Sequence, residues 1–228
     1  MGALLSLPRA WWSTDLPGYR EHSRPFATYS RFPYSDLPTI ERPLDPGLEW
    51  LLAEPEVQGS LGHVDQGDPV PERPATRAQL TTLIDGKTIE LSPAFRTFIS
   101  EPEPRLRVRS ATACYLDLAE FPVEVVGGGS LIHFLSDQQW VLHWLVYIGA
   151  DESEAVVVTE TPLGFEVDQH RFDRFDPTSD DATICAESFS EFLYRFWIEN
   201  EIYFRSLRNA RDRSPLTEEQ RRYAEHYH

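Results

Sequence analysis

Two histidines near the middle of the chain are the residues best spaced for chemistry. His133 and His143 lie in neighbouring apolar runs that alternate as strands do, so their imidazoles could meet across a hairpin. With a third ligand they would form a zinc site, and beside a carboxylate they could act as acid or base. In the other interpretation each histidine lies on the less buried face of its strand with a hydrogen-bond partner. The alternation favours this second interpretation.

Other patterns that suggest chemistry are incomplete. Gly127–Ser130 resembles a phosphate-binding loop, but a strand follows it instead of a helix, and the lysine of a P-loop is missing. Ser136 is not in a Gly-x-Ser-x-Gly elbow, and neither Cys114 nor Cys185 has a local protease signature. The sequence therefore predicts a turn at the glycines, no cofactor, no metal and no enzymatic activity.

An acidic run follows the predicted strands between Asp168 and Asp181. It includes Asp173 and Asp176 and is interrupted by two arginines. A calcium loop has alternating oxygen ligands, a glycine at its sharp turn and a closing glutamate, and this run lacks the glycine. The pattern favours a solvated loop, with binding of a partner as the alternative.

The overall charge of the chain indicates which class of partner it can bind. The chain has 37 acidic residues against 20 arginines and one lysine, for a formal net charge of −16. Such a field repels nucleic acid and anionic membranes and attracts a basic protein. No apolar run approaches the ~20 residues of a membrane span, and Met1–Leu7 is too short for a secretion signal. With its two cysteines far apart, the chain is expected in the reducing cytoplasm.

The first third of the chain differs in composition from the rest. Eleven prolines between Pro8 and Pro74 exclude long helices, yet aromatic residues such as Trp11 and Trp12 supply apolar area that linkers lack. Residues 1–74 are therefore predicted to be an extended arm with one short helix, which Asp45 caps. Residues 58–74 look like a flexible linker, so residues 75–228 are predicted to form the main domain.

The main domain is predicted to be α+β, with a central antiparallel sheet flanked by helices. Helix starts are indicated at Ser92-Pro93, at Ser188 with Glu191 three residues later, and at Thr217. Runs rich in β-branched and aromatic residues, bounded by turn residues, predict the strands. The predicted strands are Lys87–Leu91, Ala113–Leu118, Leu131–Leu135, Trp140–Ile148 and Ala155–Thr159, the last two forming a hairpin.

Three stretches in this order resemble the SUKH (SMI1/KNR4) superfamily: Ile89–Ile99, Leu131–Asp137 and Ala186–Leu193. In that family a proline-initiated helix precedes an antiparallel sheet, and a helix with the pattern small-acid-Ser-Phe-x-x-Phe-Leu closes the domain. The resemblance covers residues 75–208. It implies a non-enzymatic α+β domain that binds proteins, often as an immunity protein that neutralises a toxin nuclease or another effector.

We therefore expect a SUKH-like protein-binding domain, and as its specific form an immunity protein that neutralises a basic toxin or effector. Two alternatives stay open: an accessory subunit of a larger complex engaged through the arm, and an uncharacterised enzyme. Acidic loops and aromatic anchors are the expected contacts, since aromatic residues dominate interface hot spots. The expected partner-binding residues are Asp151, Glu152, Glu154, Asp173, Asp176, Trp140, Trp144, Tyr147, Trp11 and Trp12.

Overall fold

The apolar runs at the centre of the chain form a sheet, and the aromatic-rich helix that follows them packs on it. The computed structural model describes residues 4, 6–20, 29–62, 75–87, 89–151, 153–206 and 215–227. Helices and a mixed sheet make this an α+β fold. The helices are α1 (Glu49–Leu52), α2 (Arg77–Ile84), α3 (Pro93–Ser100), α4 (Pro102–Arg105), α5 (Phe189–Ser206) and α6 (Glu218–Glu225), with a 3-10 turn at Tyr34–Asp36. The strands are β1 (Ala10–Ser13), β2 (Ser30–Pro33), β3 (Tyr115–Leu116), β4 (Val123–Val125), β5 (Ser130–Ser136), β6 (His143–Ile148), β7 (Glu154–Thr159), β8 (Glu166–Val167), β9 (His170–Arg171), β10 (Arg174–Phe175) and β11 (Thr183–Ala186).

The main sheet has the strand order β10-β4-β5-β6-β7-β11, and β3 pairs with the second half of β5. Consecutive strands from β4 to β7 are antiparallel neighbours, and the β6–β7 hairpin turns through residues 149–153, which confirms the predicted hairpin. At one edge β10 runs parallel to β4. The sheet is therefore mixed, although the predicted central strands are antiparallel.

Both faces of the sheet are covered, so every residue of β6 is buried. Trp144 and Val146 belong to the core between the sheet and the helices, while Leu145 and Tyr147 belong to a second core on the opposite face. Antiparallel sheets often leave one face in water. Here the second face is covered by distant parts of the chain. The covering residues include Leu4, Leu7, Leu163, Phe175 and Ala182.

Local capping signals set the starts of the main helices where the sequence predicts them. The Ser92 hydroxyl accepts a hydrogen bond from the Phe95 N–H at the start of α3, and Ser188 does the same for Glu191 in α5. Thr217 and Gln220 form a reciprocal capping box at α6. None of the helices that the structure describes is long and apolar enough to cross a membrane.

The described part of the predicted arm packs on the rest of the chain. Strands β1 and β2 pair with each other, and Trp11 is buried with its ring 5.9 Å from that of Phe192 in α5. Leu16 and Trp50 belong to the same core as the sheet and helices. The division at residue 75 stays a prediction, and residues 63–74 of the predicted linker lie outside the described residues.

Several predicted elements need correction. The predicted strand Trp140–Ile148 begins only at His143, because residues 137–142 form a turn, and the predicted strand Ala113–Leu118 is a strand only at Tyr115–Leu116.

Asp45 does cap a helix, since its carboxylate accepts bonds from the Glu49 and Trp50 N–H groups. However, the helix begins at Glu49 and not at Pro46, because Leu48 has left-handed backbone angles and a helix cannot pass through them. The predicted strand Lys87–Leu91 is wrong over its described residues, which pair with no other strand.

The glycine turn before β5 allows a first test of packing. Gly129 has φ of +89°, and a Cβ there would lie 2.6 Å from the Ile148 carbonyl oxygen and 2.6 Å from the Tyr147 ring. Gly128 also has positive φ, but a Cβ there would meet nothing within 4 Å. We expect Gly129→Ala to lower the free energy of unfolding by about 1–2 kcal/mol more than Gly128→Ala, because of the clash. Urea denaturation of both variants measures this difference, and equal losses would contradict the described packing.

Candidate protein-binding surface

The turn that joins β5 to β6, residues 137–142, is held by one buried carboxylate. Asp137 Oδ1 accepts hydrogen bonds from the N–H groups of Val141 at 2.7 Å and Leu142 at 2.8 Å, and its Oδ2 accepts one from Gln139 at 3.3 Å. Bonds to an ionised acceptor are about twice as strong as neutral ones. Inside this turn Trp140 has φ of 58°, in the left-handed region that bulky residues avoid. Asp137 therefore holds Trp140 in a conformation that its own backbone disfavours.

The β5–β6 turn presents apolar side chains to solvent. Val141 is 50% exposed. Among the residues that the structure describes, it is the one large hydrophobic residue with an exposed side chain. Trp140 beside it is half-buried, and its ring packs edge-on against His143 at 5.1 Å and near Phe165 at 5.8 Å. The sequence indicated Trp140 but not Val141. The predicted strand Trp140–Ile148 included Val141, whereas β6 begins at His143 and leaves Val141 in the turn.

Beneath this turn lies a buried polar cluster of His133, Ser136 and His143. The Ser136 hydroxyl oxygen is 2.9 Å from His133 Nε2 and 3.3 Å from His143 Nδ1, so it can donate to one ring and accept from the other. The expected hydrogen-bond partner is thus confirmed for both histidines. The expectation that each histidine lies on the less buried face is wrong, because both side chains are at most 1% exposed. A register shift in β5 after His133 helps to bring the two rings to 5.1 Å.

The environment keeps His143 neutral near pH 7. Burial lowers the pKa of His143 to about 4, against an opposing effect of the Asp137 charge. Its Nε2 atom is buried and has no hydrogen-bond partner among the described residues. A serine between two histidines has the residue types of nucleophilic catalysis, but a nucleophile has to reach its substrate. In this arrangement Trp140 and Phe165 cover the two rings.

No described group of three or more His, Cys, Asp or Glu side chains is placed to hold a metal ion. The zinc site considered for His133 and His143 would therefore need a ligand that the described residues do not supply.

The acidic run predicted as a solvated loop includes two short strands, β9 and β10, and its residues 176–181 form a mostly exposed loop. We define the acidic segment as residues 160–181, which carry seven carboxylate side chains and two arginines. Strands β8 and β9 pair through Asp168 and Gln169, whose φ values of 50° and 65° are those of a tight hairpin turn. Strand β10 pairs with β4. The exposed Glu166 lies in β8, Glu160 directly follows β7, and Asp181 lies two residues before β11, so each is in or next to a paired strand.

The two aspartates predicted to contact a partner in this segment also have local bonds. Asp173 pairs with Arg171 at 2.7 Å. Asp176 accepts hydrogen bonds from the N–H and the hydroxyl of Thr178, which lower its pKa. Each side chain is half-buried and helps to hold the loop. The neighbouring exposed carboxylates are better placed for a partner.

The second acidic loop was predicted from Asp151, Glu152 and Glu154. Asp151 is exposed, and hydrogen bonds from Ser153 lower its pKa to about 2. Glu154 Oε1 accepts a hydrogen bond from the Phe189 N–H at 2.6 Å, so Glu154 caps the start of α5. Glu152 lies outside the described residues. Asp151 is thus exposed in this loop, while Glu154 has a structural role.

Three of the five aromatic residues predicted as anchors lie in the core. Trp144, Tyr147 and Trp11 are each at most 2% exposed, so they have no free surface for a partner. Strand alternation predicts one solvent face, but both faces of β6 are covered, and Trp11 is covered by α5. Trp12 keeps some exposed area beside the Arg31 guanidinium, 5.0 Å from its ring. Trp140 is the other predicted anchor that remains accessible.

A groove of about 520 Å³ lies between residues 38–42 and the helices α5 and α6. Its charged side chains are paired across it. Arg42 binds Glu219 at 2.6 Å, and Arg222 binds Glu41 at 3.0 Å. Because these charges neutralise each other, the groove shows no preference for an anion or a cation.

No protein-family model matches this chain, no curated protein matches it, and no solved structure matches it. The resemblance to the SUKH superfamily therefore stays a prediction. The support for a function comes from the chain's own surface and charge.

Proposed function

We propose that this chain is a non-catalytic protein-binding domain that presents an acidic surface to a basic protein partner. The observation that carries the proposal is the acidic segment, which has seven carboxylates against two arginines and is joined to the main sheet by the pairing of β10 with β4. The formal net charge of −16 extends the same sign over the molecule. Complementary charge guides encounter and suppresses wrong partners.

The rigidity of the acidic segment favours binding over simple solvation. Glu124 N–H donates to the Asp173 carbonyl, and Val126 N–H donates to the Phe175 carbonyl, so the segment is joined to the main sheet. Phe175 is fully buried in the second core. A surface that is ordered before binding loses less conformational entropy when the partner arrives. The exposed carboxylates are in this sense prepared for a partner.

More specifically, we propose that the chain is a SUKH-like immunity protein that neutralises a basic toxin or effector. Its support is the sequence resemblance together with the sign of the charge, because nuclease toxins are basic where they hold nucleic acid. The alternative of an accessory subunit engaged through the arm has less support. Trp11, one of its two expected anchors, is buried and donates a hydrogen bond to Glu199 of the same chain.

Charge reversal tests the proposal. We expect the wild-type protein to capture a basic protein from a lysate of its source organism, and the variant Glu160→Lys/Glu166→Lys/Asp181→Lys to lose it. Wild-type capture should weaken between about 0.05 and 0.3 M salt, where screening shortens the reach of exposed charges. Mass spectrometry of the captured proteins, with their isoelectric points, gives the measurement.

The matched control is Glu56→Lys/Glu90→Lys/Glu225→Lys, which changes the net charge equally at exposed positions outside the acidic segment. This control should keep the partner. Equal loss in both variants would show a dependence on net charge alone, and the absence of any basic partner would contradict the proposal.

A further inference from the structure

The β5–β6 turn has both a strained backbone and exposed apolar side chains. Trp140 has left-handed backbone angles, which cost a non-glycine residue about 1–2 kcal/mol, and the buried Asp137 carboxylate maintains them. Glycine or asparagine would satisfy this backbone at lower cost. Strained backbone held by its surroundings is concentrated at functional sites. The strain here holds a half-exposed indole beside the exposed Val141 side chain.

Acidic side chains lie at the same end of the sheet. Thr159 pairs with His143 at the base of the turn, Glu160 follows it, and the Thr159 hydroxyl donates to the Asp181 carbonyl at 2.8 Å. Glu160 and Asp181 are exposed. This end of the sheet thus combines an apolar tip with carboxylates beside it.

The exposed Glu120 is a further carboxylate in the neighbourhood of Phe165. It donates its N–H to the Gly164 carbonyl, next to Phe165, which the Trp140 ring contacts. Arg171 also lies here, over the Phe121 ring, and its charge is offset by its pair with Asp173.

We infer that the β5–β6 turn is the anchor of the partner interface, and that its occupant is a protein segment with an apolar side chain flanked by lysine or arginine. The inference rests on the proposed function and adds the place and the chemistry of contact. An apolar centre with a charged rim is the usual anatomy of an interface hot spot. A second copy of this chain would bring carboxylates against carboxylates, and nucleic acid would bring phosphates, so charge disfavours both.

The two parts of the surface have different kinetic roles. The exposed carboxylates attract the basic segment from a distance and raise the association rate, which salt reduces. Trp140 and Val141 make contact only in the complex and slow dissociation, since most affinity changes within one interface arise in the dissociation rate.

Val141→Ser separates this inference from the proposed function. We expect the full-length variant to bind the basic protein captured by the wild type about five- to tenfold more weakly, through faster dissociation, in surface plasmon resonance. Gln138→Ser, at another exposed position of the same turn, should bind as the wild type does. Because Val141 is already half exposed, its replacement leaves folding intact, which thermal denaturation of the variant verifies.

A photo-crosslinker identifies the residue types of the protein segment that binds at the β5–β6 turn. Benzophenone-alanine at position 141 of the full-length protein should crosslink to a peptide of the captured protein that contains lysine or arginine and an apolar residue. The same group at Glu225 on α6 should not. A captured basic protein that depends on Glu160, Glu166 and Asp181 but ignores Val141→Ser would overturn the anchor and leave the proposed function standing. Crosslinks to another copy of this chain would overturn the inferred occupant, and failure to capture any basic protein would overturn both proposals.

Discussion

Glu199→Gln is expected to lower the free energy of unfolding by about 3–5 kcal/mol, the usual cost of breaking a buried ion pair from one side. Glu199 is 3% exposed and binds the guanidinium of Arg20, itself 6% exposed, at 2.7 and 2.9 Å. The neutral amide would leave the Arg20 charge buried without compensation. It would also weaken the bonds that Glu199 accepts from Trp11, Ser13 and Tyr223.

The charges of this pair explain why both groups stay ionised. Burial alone would raise the pKa of Glu199, but the Arg20 guanidinium outweighs it and holds that pKa below its ordinary value. Burial likewise would lower the pKa of Arg20, and the Glu199 carboxylate outweighs it, so that this pKa is raised. The pair joins residues near the start of the chain to α5, and Tyr223 and Tyr227 connect it to the C-terminal end.

Urea denaturation at pH 7 measures the loss, with Glu187→Gln as the control. Glu187 pairs with Arg9 on the surface, where such a pair contributes roughly 0–1 kcal/mol. Adding Arg20→Met to Glu199→Gln should recover part of the stability, because it removes the uncompensated charge. Similar losses for Glu199→Gln and Glu187→Gln would show that the buried pair does not have the described role.

The helix starts were predictable because their signals are local. Ser92, Ser188 and Thr217 each lie within three residues of the N–H group that they cap. Glu199 gave no such signal. It lies in the middle of a helical pattern, where a carboxylate is usually solvated, and its partner Arg20 is 179 positions away in the sequence. Sequence spacing does not show contacts of this range.

The binding surface was predictable only in part, for the same reason. Alternation in β6 predicts two sets of side chains but does not tell which face is covered, and Leu4 and Phe175 cover the second face from distant positions. Trp144 and Tyr147 are therefore buried, contrary to expectation. Trp140 stays accessible because it precedes the strand, in the turn. The acidic composition was readable from the sequence, whereas the rigid placement of the carboxylates depends on strand pairing.

The stability of the protein is expected to fall as the pH falls from about 6.5 towards 4, because of His143. Burial, opposed by Asp137, lowers its pKa in the folded protein to about 4 from the ordinary 6.5. Above pH 6.5 the imidazole is neutral in both states and has no effect. Below it the unfolded chain binds a proton that the folded protein does not, so the unfolded state gains stability. With these pKa values the loss is about 2 kcal/mol at pH 5 and approaches about 3 kcal/mol near pH 4.

Urea denaturation at pH 7 and pH 5 measures this loss, and His143→Asn isolates its source. The variant is expected to be less stable at pH 7, but its further loss between pH 7 and pH 5 should be about 2 kcal/mol smaller than that of the wild type. The control His226→Asn removes an exposed imidazole and should keep the wild-type decline. Glu199 does not contribute to the loss of stability between pH 7 and pH 5. Its pKa is lowered in the folded protein, so its protonation affects the free energy of unfolding only below pH 4.5. An unchanged decline in His143→Asn would mean that the acid sensitivity arises elsewhere, and that the imidazole beneath Trp140 reaches solvent when protonated.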